Sequence, residues 1–343
     1  MTNKKPYVSS WLFLIIGFIL LFLLDISLGS VNIPFKATIA ILTGQEVEES
    51  SWEQIILLFR LPRVFTAIAV GAGLAVSGLL MQTLFRNPLA GPYVLGISSG
   101  ASLGVALVIL ASGVLSFGLL GSKVSILLAA GLGAAAVLLV VLLISRNIPD
   151  STTLLILGLM FGSIAGAIVS VLQYYSRAEE LQSFVIWTFG SLSHVRWADM
   201  PIFGVLVILG LILAFLIQKP LNSFFLGERQ ASSIGVNIER TRITVLIATS
   251  ILAGSITAYC GPIAFIGLAV PHLTRVIFPT SNHKLLIPAV ALSGAFIMVL
   301  ADFIAQMPGS EHVLPINAVT ALIGGPVIIW VIIRKRNIGK SFN

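Results

Sequence analysis

Ten apolar segments dominate the chain, at residues 10–28, 63–82, 93–112, 123–144, 152–172, 199–217, 241–260, 264–278, 286–305 and 315–333. A bilayer core takes roughly 20 apolar residues per helix, with a lower limit of about 17. All but 264–278 reach that length; that segment also carries Pro271 and His272 and is expected to be tilted, broken or re-entrant. The runs are too long and too uniform for the alternating strands of a membrane barrel. The predicted fold class is therefore all-α, a polytopic membrane protein with about ten transmembrane helices. No break in composition marks a second domain within 1–343. Charge points the same way: 10% of the 343 residues are charged and 57% hydrophobic, whereas a soluble domain carries about 25% charged residues. That excludes a soluble globular enzyme, a disordered chain and a nucleic-acid-binding domain. The net charge of +7 is spread too thinly to make a polyanion-binding patch. The single cysteine, Cys260, excludes an internal disulfide and a Cys-rich metal site.

Lys4 and Lys5 precede the first apolar run, as in a signal peptide, but no A-x-A-like cleavage site follows, so an uncleaved first helix is expected. Lys and Arg bias sets orientation. Fourteen of the 20 fall on one side, including Lys4, Lys5, Arg146, Lys219, Arg229, Arg240 and the tail from Arg334 to Lys340. Six fall on the other: Lys36, Arg60, Arg63, Lys123, Arg177 and Arg196. Most acids, among them Glu46, Glu48, Glu49, Glu53, Asp199 and Glu311, share that second side. Both termini are thus expected in the cytoplasm.

Three connections are long enough to carry function: an acidic outer loop at 29–62, a second outer loop at 173–198 and a cytoplasmic loop at 218–240. Phe184-Val185-Ile186-Trp187 in the second suggests a short interfacial helix. In the third, Leu226 to Val236 suggests a short helix ending at Gly235. By its residues this loop suits either a bilayer-resting segment or a docking knob for a soluble protein. A faint repeat exists at an offset of 183, with Gly71, Ala75, Gly78 and Pro88 recurring as Gly254, Ala258, Gly261 and Pro271. Glycines recur every fourth residue at Gly96, Gly100 and Gly104 and again at Gly158, Gly162 and Gly166. Such spacing lets helices approach closely; the alternative for the second stripe is that it lines a pathway.

The chain has no complete nucleotide-binding glycine loop. Gly339-Lys340-Ser341 resembles only its tail, with Arg334 where the first glycine belongs. His194, His272, His283 and His312 have no metal-ligand spacing, and no hydrolase motif is present. Energy must come from an ion gradient or another subunit. Ionisable residues within spans are functional candidates, and the two here, Asp25 and Asp302, lie near outer ends. Asp25 is expected to reach water and Asp302 to serve structure. The lack of a midplane acid counts against an ion-coupled secondary transporter. Arg60-Leu61-Pro62-Arg63 places two scarce outer cations at the mouth of the second span, with Pro62 suited to a first helical turn. They fit either interfacial anchoring or pairing with carboxylates of a soluble partner.

Together these stretches resemble the permease family of bacterial ABC importers for ferric siderophores, haem and cobalamin. The residues carrying the resemblance are 60–63 (RLPR), 71–78 (GAGLAVSG), 81–90 (MQTLFRNPLA), 95–101 (LGISSGA), 187–192 (WTFGSL), Leu226-Gly227-Glu228 with Gly235-Val236, 261–272 (GPIAFIGLAVPH), Ala301-Asp302, Leu314-Pro315 and 319–326 (VTALIGGP). The resemblance implies a homodimer with its path along the dimer interface, lined by the fifth span and so by Gly158, Gly162 and Gly166. It implies that Arg60 and Arg63 receive acidic residues of a periplasmic or lipoprotein substrate-binding protein. Gln306 stands where the family commonly has a third arginine. Leu226, Gly227, Glu228, Ala231, Gly235 and Val236 match the segment that couples to two cytoplasmic ATP-binding subunits. Asn87 and Leu89 match a cytoplasmic gate, and Ser151 and Thr152 a second one. The chain itself is expected to be no enzyme and to bind no cofactor or metal, with ATP and Mg on the partner. The expected cargo is a ferric siderophore, with haem or cobalamin as alternatives, across the bacterial inner membrane.

Overall fold

A computed structural model describes residues 7–29, 31–45, 47, 49–111, 122–145, 151–225, 227–306 and 313–340, without the side chains of 151, 152 and 334–340. Leu226 and the charged or titratable residues Lys4, Lys5, Glu46, Glu48, Arg146, Asp150, Glu311 and His312 therefore lie outside the described residues.

The described chain forms α1 (Val8–Ser27), α2 (Phe35–Leu42), α3 (Ser50–Gln54), α4 (Leu61–Leu84), α5 (Ile97–Ile109), α6 (Lys123–Ser145), α7 (Ser151–Tyr175), α8 (Ala178–Thr188), α9 (Met200–Leu216), α10 (Gln218–Phe224), α11 (Glu228–Ser233), α12 (Ile238–Cys260), α13 (Ile266–Ile277), α14 (His283–Ala305) and α15 (Ile316–Lys340). Each of the ten apolar segments contains one of these helices. Seven helical runs are long and apolar enough to cross a membrane, and α9 with α10, bent by 55°, makes an eighth. The short apolar helices α5 and α13 supply the remaining two. In α13, Pro271 sits inside a single helix of only 12 residues, shorter than a full span, as the length of that segment suggested.

Helix α4 is the hub, packed against α14, α13, α12 and α9, and most of it is buried. Glycines make this possible. A Cβ on Gly71 would lie 2.2 Å from the Gly294 carbonyl of α14, and one on Gly78 would lie 1.8 Å from the Gly267 carbonyl of α13. The Gly96–Gly104 stripe packs in the same way: Cβ atoms on Gly100 and Gly104 would fall 2.5 and 2.1 Å from carbonyls of α6. Lipid offers helices no hydrophobic drive toward one another, so this close backbone approach holds them together.

Two expectations are corrected here. The 29–62 segment is largely helical, so that Pro62, in the first turn of α4 as expected, follows another helical turn and not a loop. A π-helical turn at Ile55–Arg60 joins α3 to α4 in one 35-residue run. The wider turn accommodates a proline that has no N–H and whose ring crowds the preceding turn. The repeat shows in helix lengths, 24, 13, 23 and 25 residues for α4–α7 and 23, 12, 23 and 25 for α12–α15. Its 183-residue offset does not map element onto element, however: Pro88 lies in the loop before α5, whereas Pro271 lies within α13.

Candidate functional site

The chemistry-bearing residues gather at opposite ends of the bundle. At one end, α1, α4 and α14 bring Asp25, Arg60, Arg63, Asp302 and Gln306 together. Arg63 grips Asp302 with a fork: Nε lies 2.9 Å and Nη2 2.7 Å from Oδ1. Gln306 Nε2 donates to Asp302 Oδ2 at 3.2 Å and to Asp25 Oδ1 at 3.0 Å. Arg60 Nη1 donates to the Ile26 carbonyl at 2.6 Å, and Nη2 to that of Val31. Asp25 and Asp302 are fully buried. This overturns the expectation that Asp25 reaches water: the 35-residue run and the turn after α1 close over it.

The arginines are thus not a pair of free outward cations. Arg60 is buried with two donors committed to carbonyls, and Arg63 is 16% exposed and ion-paired. Their outer edges still line a cleft of about 860 Å³, together with Phe59, Arg196, Trp197 and Gln306. Beside it lies a cavity of about 360 Å³ lined by Lys123, His194, Arg196 and Tyr259. Lys123 pairs with Asp199 at 2.5 Å. Burial alone raises the Asp199 carboxyl, but hydrogen bonding to Lys123 and the charges of Lys123 and Arg196 outweigh it and lower its pKa. Partial burial, then the Lys123 charge, lower that of His194.

The opposite end is shaped by backbone. Gly227, at φ 105°, turns the chain into α11, a conformation that an L side chain rarely adopts. The helix stops as the sequence suggested. Gly235, at φ 89°, donates to Ser232 O, and Val236 donates to Ala231 O at 3.1 Å, the paired bonds of a glycine-stopped helix end. Ala231, on the inner face of α11, is fully buried, while Arg229, Gln230 and Ile234 are exposed. Glu228 accepts from Arg242 Nη2 of α12 at 3.3 Å. The loop after α4 sits alongside: Asn87 Oδ1 accepts from the Leu89 N–H at 2.9 Å, Leu89 is exposed, and His272 Nε2 donates to the Pro88 carbonyl at 2.7 Å.

The second glycine stripe divides. A Cβ on Gly158 would lie 2.4 Å from Val94 O, so Gly158 packs against the 92–95 turn. Gly162 faces Ser99 at 3.2 Å. Only Gly166 has nothing within 4 Å among the described residues. Around it α7 exposes Met160, Ile164 and Ile168. Ser151 and Thr152 occupy the first turn of α7, and their side chains lie outside the described residues.

Sequence reading missed three features here: the Asp25–Gln306–Asp302 bridge, the His272 bond to the loop after α4, and Arg196 at the cleft. Distant helices assemble the first two. Arg196 gave one available signal, as one of only six cations on its side.

A profile described as the FecCD transport family matches residues 17–334. The hemin transport system permease protein HmuU of Yersinia pestis is 37% identical over 327 residues, covering 94% of this chain and 96% of that one. The vitamin B12 import system permease protein BtuC of Photorhabdus laumondii is 38% identical over 281 residues, 81% of each. A solved ABC transporter of metal-chelate type, in an inward-facing conformation, superposes with a TM-score of 0.82 at 30% identity, covering 94% of this chain and 98% of the other.

Proposed function

This chain belongs to the FecCD transport family and is a membrane-spanning permease of an ABC importer; from that premise we propose that it carries a metal chelate inward, a ferric siderophore before others. The observation that carries this reading is the match across 17–334, which spans both ends of the bundle. Relatives along that length are named for hemin and vitamin B12 import, cargoes that share a large metal-holding ligand. Haem is the second reading, favoured by the HmuU relative covering 94% of the chain.

The proposed assembly is a homodimer in the bacterial cytoplasmic membrane, both termini in the cytoplasm, with the exposed face of α7 on the path. Two ATP-binding subunits grip α11. Supporting this, α11 is exposed outward, seated inward through Ala231, tied to α12 through Glu228–Arg242 and stopped at Gly235 and Val236. ATP and Mg stay on those subunits, and this chain performs no bond chemistry. A substrate-binding protein docks over the cleft that Arg60 and Arg63 line. Closure of the ATP-binding subunits moves α11, and the adjoining Asn87–Leu89 loop opens or shuts the inner gate. Differential contact of the partner with two states of α11 supplies the bias.

Uptake assays on a deletion strain test the cargo, using labelled ferric siderophore, haem and cobalamin in parallel. Loss of ferric siderophore uptake alone is the expected result. Loss of haem uptake alone establishes the second reading, and loss of none contradicts both.

A further inference from the structure

The chain just before α11 is fastened to the bundle by side chains. α10 ends at Phe224 and α11 begins at Glu228, so three residues separate them. α10 bends 55° away from α9, packs against α14 and α4, and buries Leu221 and Phe224. Apolar burial is non-directional and by itself lets a short helix slide. Asn222 removes that freedom. Its Oδ1 accepts from the His283 backbone N–H at 2.9 Å and from His283 Nδ1 at 2.8 Å. Its Nδ2 donates at 3.3 Å to Oδ1 of Asn282, the residue that caps α14.

His283 is fully buried at the centre of this junction. Its Nε2 lies 3.0 Å from Thr83 Oγ1 of α4, and the Phe225 ring stacks on it with centroids 5.5 Å apart. One imidazole on α14 thus joins α10 to α4. A buried polar cluster with its partners met specifies one register, because sliding would strand its members. Thr83 also stands one turn before the Asn87–Leu89 loop. Its carbonyl accepts from the Arg86 N–H at 3.4 Å, and Arg86, at φ 45°, breaks the chain away from α4 there.

We propose that His283 is a positioning residue for transport: through Asn222 and Thr83 it locks α10 to the end of α4, so that displacement of α11 by an ATP-binding subunit reaches the Asn87–Leu89 loop. This rests on the importer reading above and names the link between α11 and the gate that it leaves open. The two hydrogen-bonded contacts act in series, Asn222 to His283 and His283 to Thr83. Loss of either one disconnects the loop from α11. A cluster that served packing alone would lower stability and leave the ATP used per chelate imported unchanged.

The test uses the full-length chain in proteoliposomes with its ATP-binding subunits and substrate-binding protein. ATP hydrolysed per chelate imported is measured with labelled ferric siderophore, or with labelled haem where wild type imports that, and thermal unfolding is followed alongside. Asn222→Leu and the near-isosteric Thr83→Val are each expected to raise that ratio about fivefold or more, while Thr83→Ser, which keeps the hydroxyl, stays near wild type. Because the contacts lie in series, the double variant is expected to be no worse than the more damaging single one. Single variants within about twofold of the wild-type ratio, uptake and hydrolysis lost together, or single effects that multiply in the double variant overturn the proposal and leave the importer reading standing. Wild type that imports no chelate with ATP overturns both.

Discussion

The two ends of the bundle hold their functional residues by opposite means. At the Arg60 end, side chains do the holding: two buried carboxylates, an arginine fork and a shared glutamine. At the Gly227 end, backbone does it: left-handed glycines on either side of α11, and a turn closed by Asn87. Buried charge makes a rigid platform because each charged group is costly to strand. Glycine turns leave a short helix exposed and free to follow a partner. Under the proposed function, the first end is the surface that is docked upon and the second the one that is moved.

This contrast predicts where damage shows. The largest stability effect is expected from Asp302→Ala, which leaves the mostly buried Arg63 without its counter-ion. A loss of about 3 kcal/mol follows, at the lower end of the range for a broken buried pair because Arg63 has an edge on the cleft. Thermal unfolding of the purified protein measures it, and an unchanged midpoint breaks the rigid-platform account. Gly227→Val comes next. It forces a β-branched residue into φ 105°, a strain of about 1–3 kcal/mol. Its distinctive readout is ATP hydrolysis by the assembled importer that no longer drives uptake; intact coupling would remove Gly227 from the moved end.

Asn237→Ala removes the side chain that caps α12 by accepting from the Arg240 N–H at 2.9 Å. It is expected to cost about 1 kcal/mol, read as a small shift in the same unfolding assay. The smallest effect belongs to Asp199→Asn, since the Lys123–Asp199 pair is partly exposed and solvent-screened pairs contribute about 1 kcal/mol or less. The sign follows from the lowered Asp199 pKa. Its contribution is present above the unfolded value near 4 and is lost as pH falls through the lowered folded value. Wild type and variant should therefore differ slightly at pH 7 and converge in strong acid.

The spans were legible because a twenty-residue apolar run has few other uses, and each of the ten segments holds a helix. The α11 stop at Gly235 was legible because its chemistry is local. The run from Ser50 through Pro62 was not, since a π turn that tolerates proline leaves no mark in hydropathy. Nor was the fate of Arg63: its partner lies 239 residues away, and only the docking of α14 on α4 brings them together. Spacing also could not separate Gly158 from Gly166. Both sit on one stripe, yet one meets a neighbouring backbone and the other meets none among the described residues.

The central claim is that this chain is driven by ATP hydrolysis on a partner. Reconstituting it in proteoliposomes, with and without its ATP-binding subunit and substrate-binding protein, tests that most directly. Uptake of labelled metal chelate should require both proteins and ATP, and the chain alone should hydrolyse none. Uptake driven by a proton or sodium gradient in vesicles without the ATP-binding subunit, abolished by Asp302→Asn, would contradict the account.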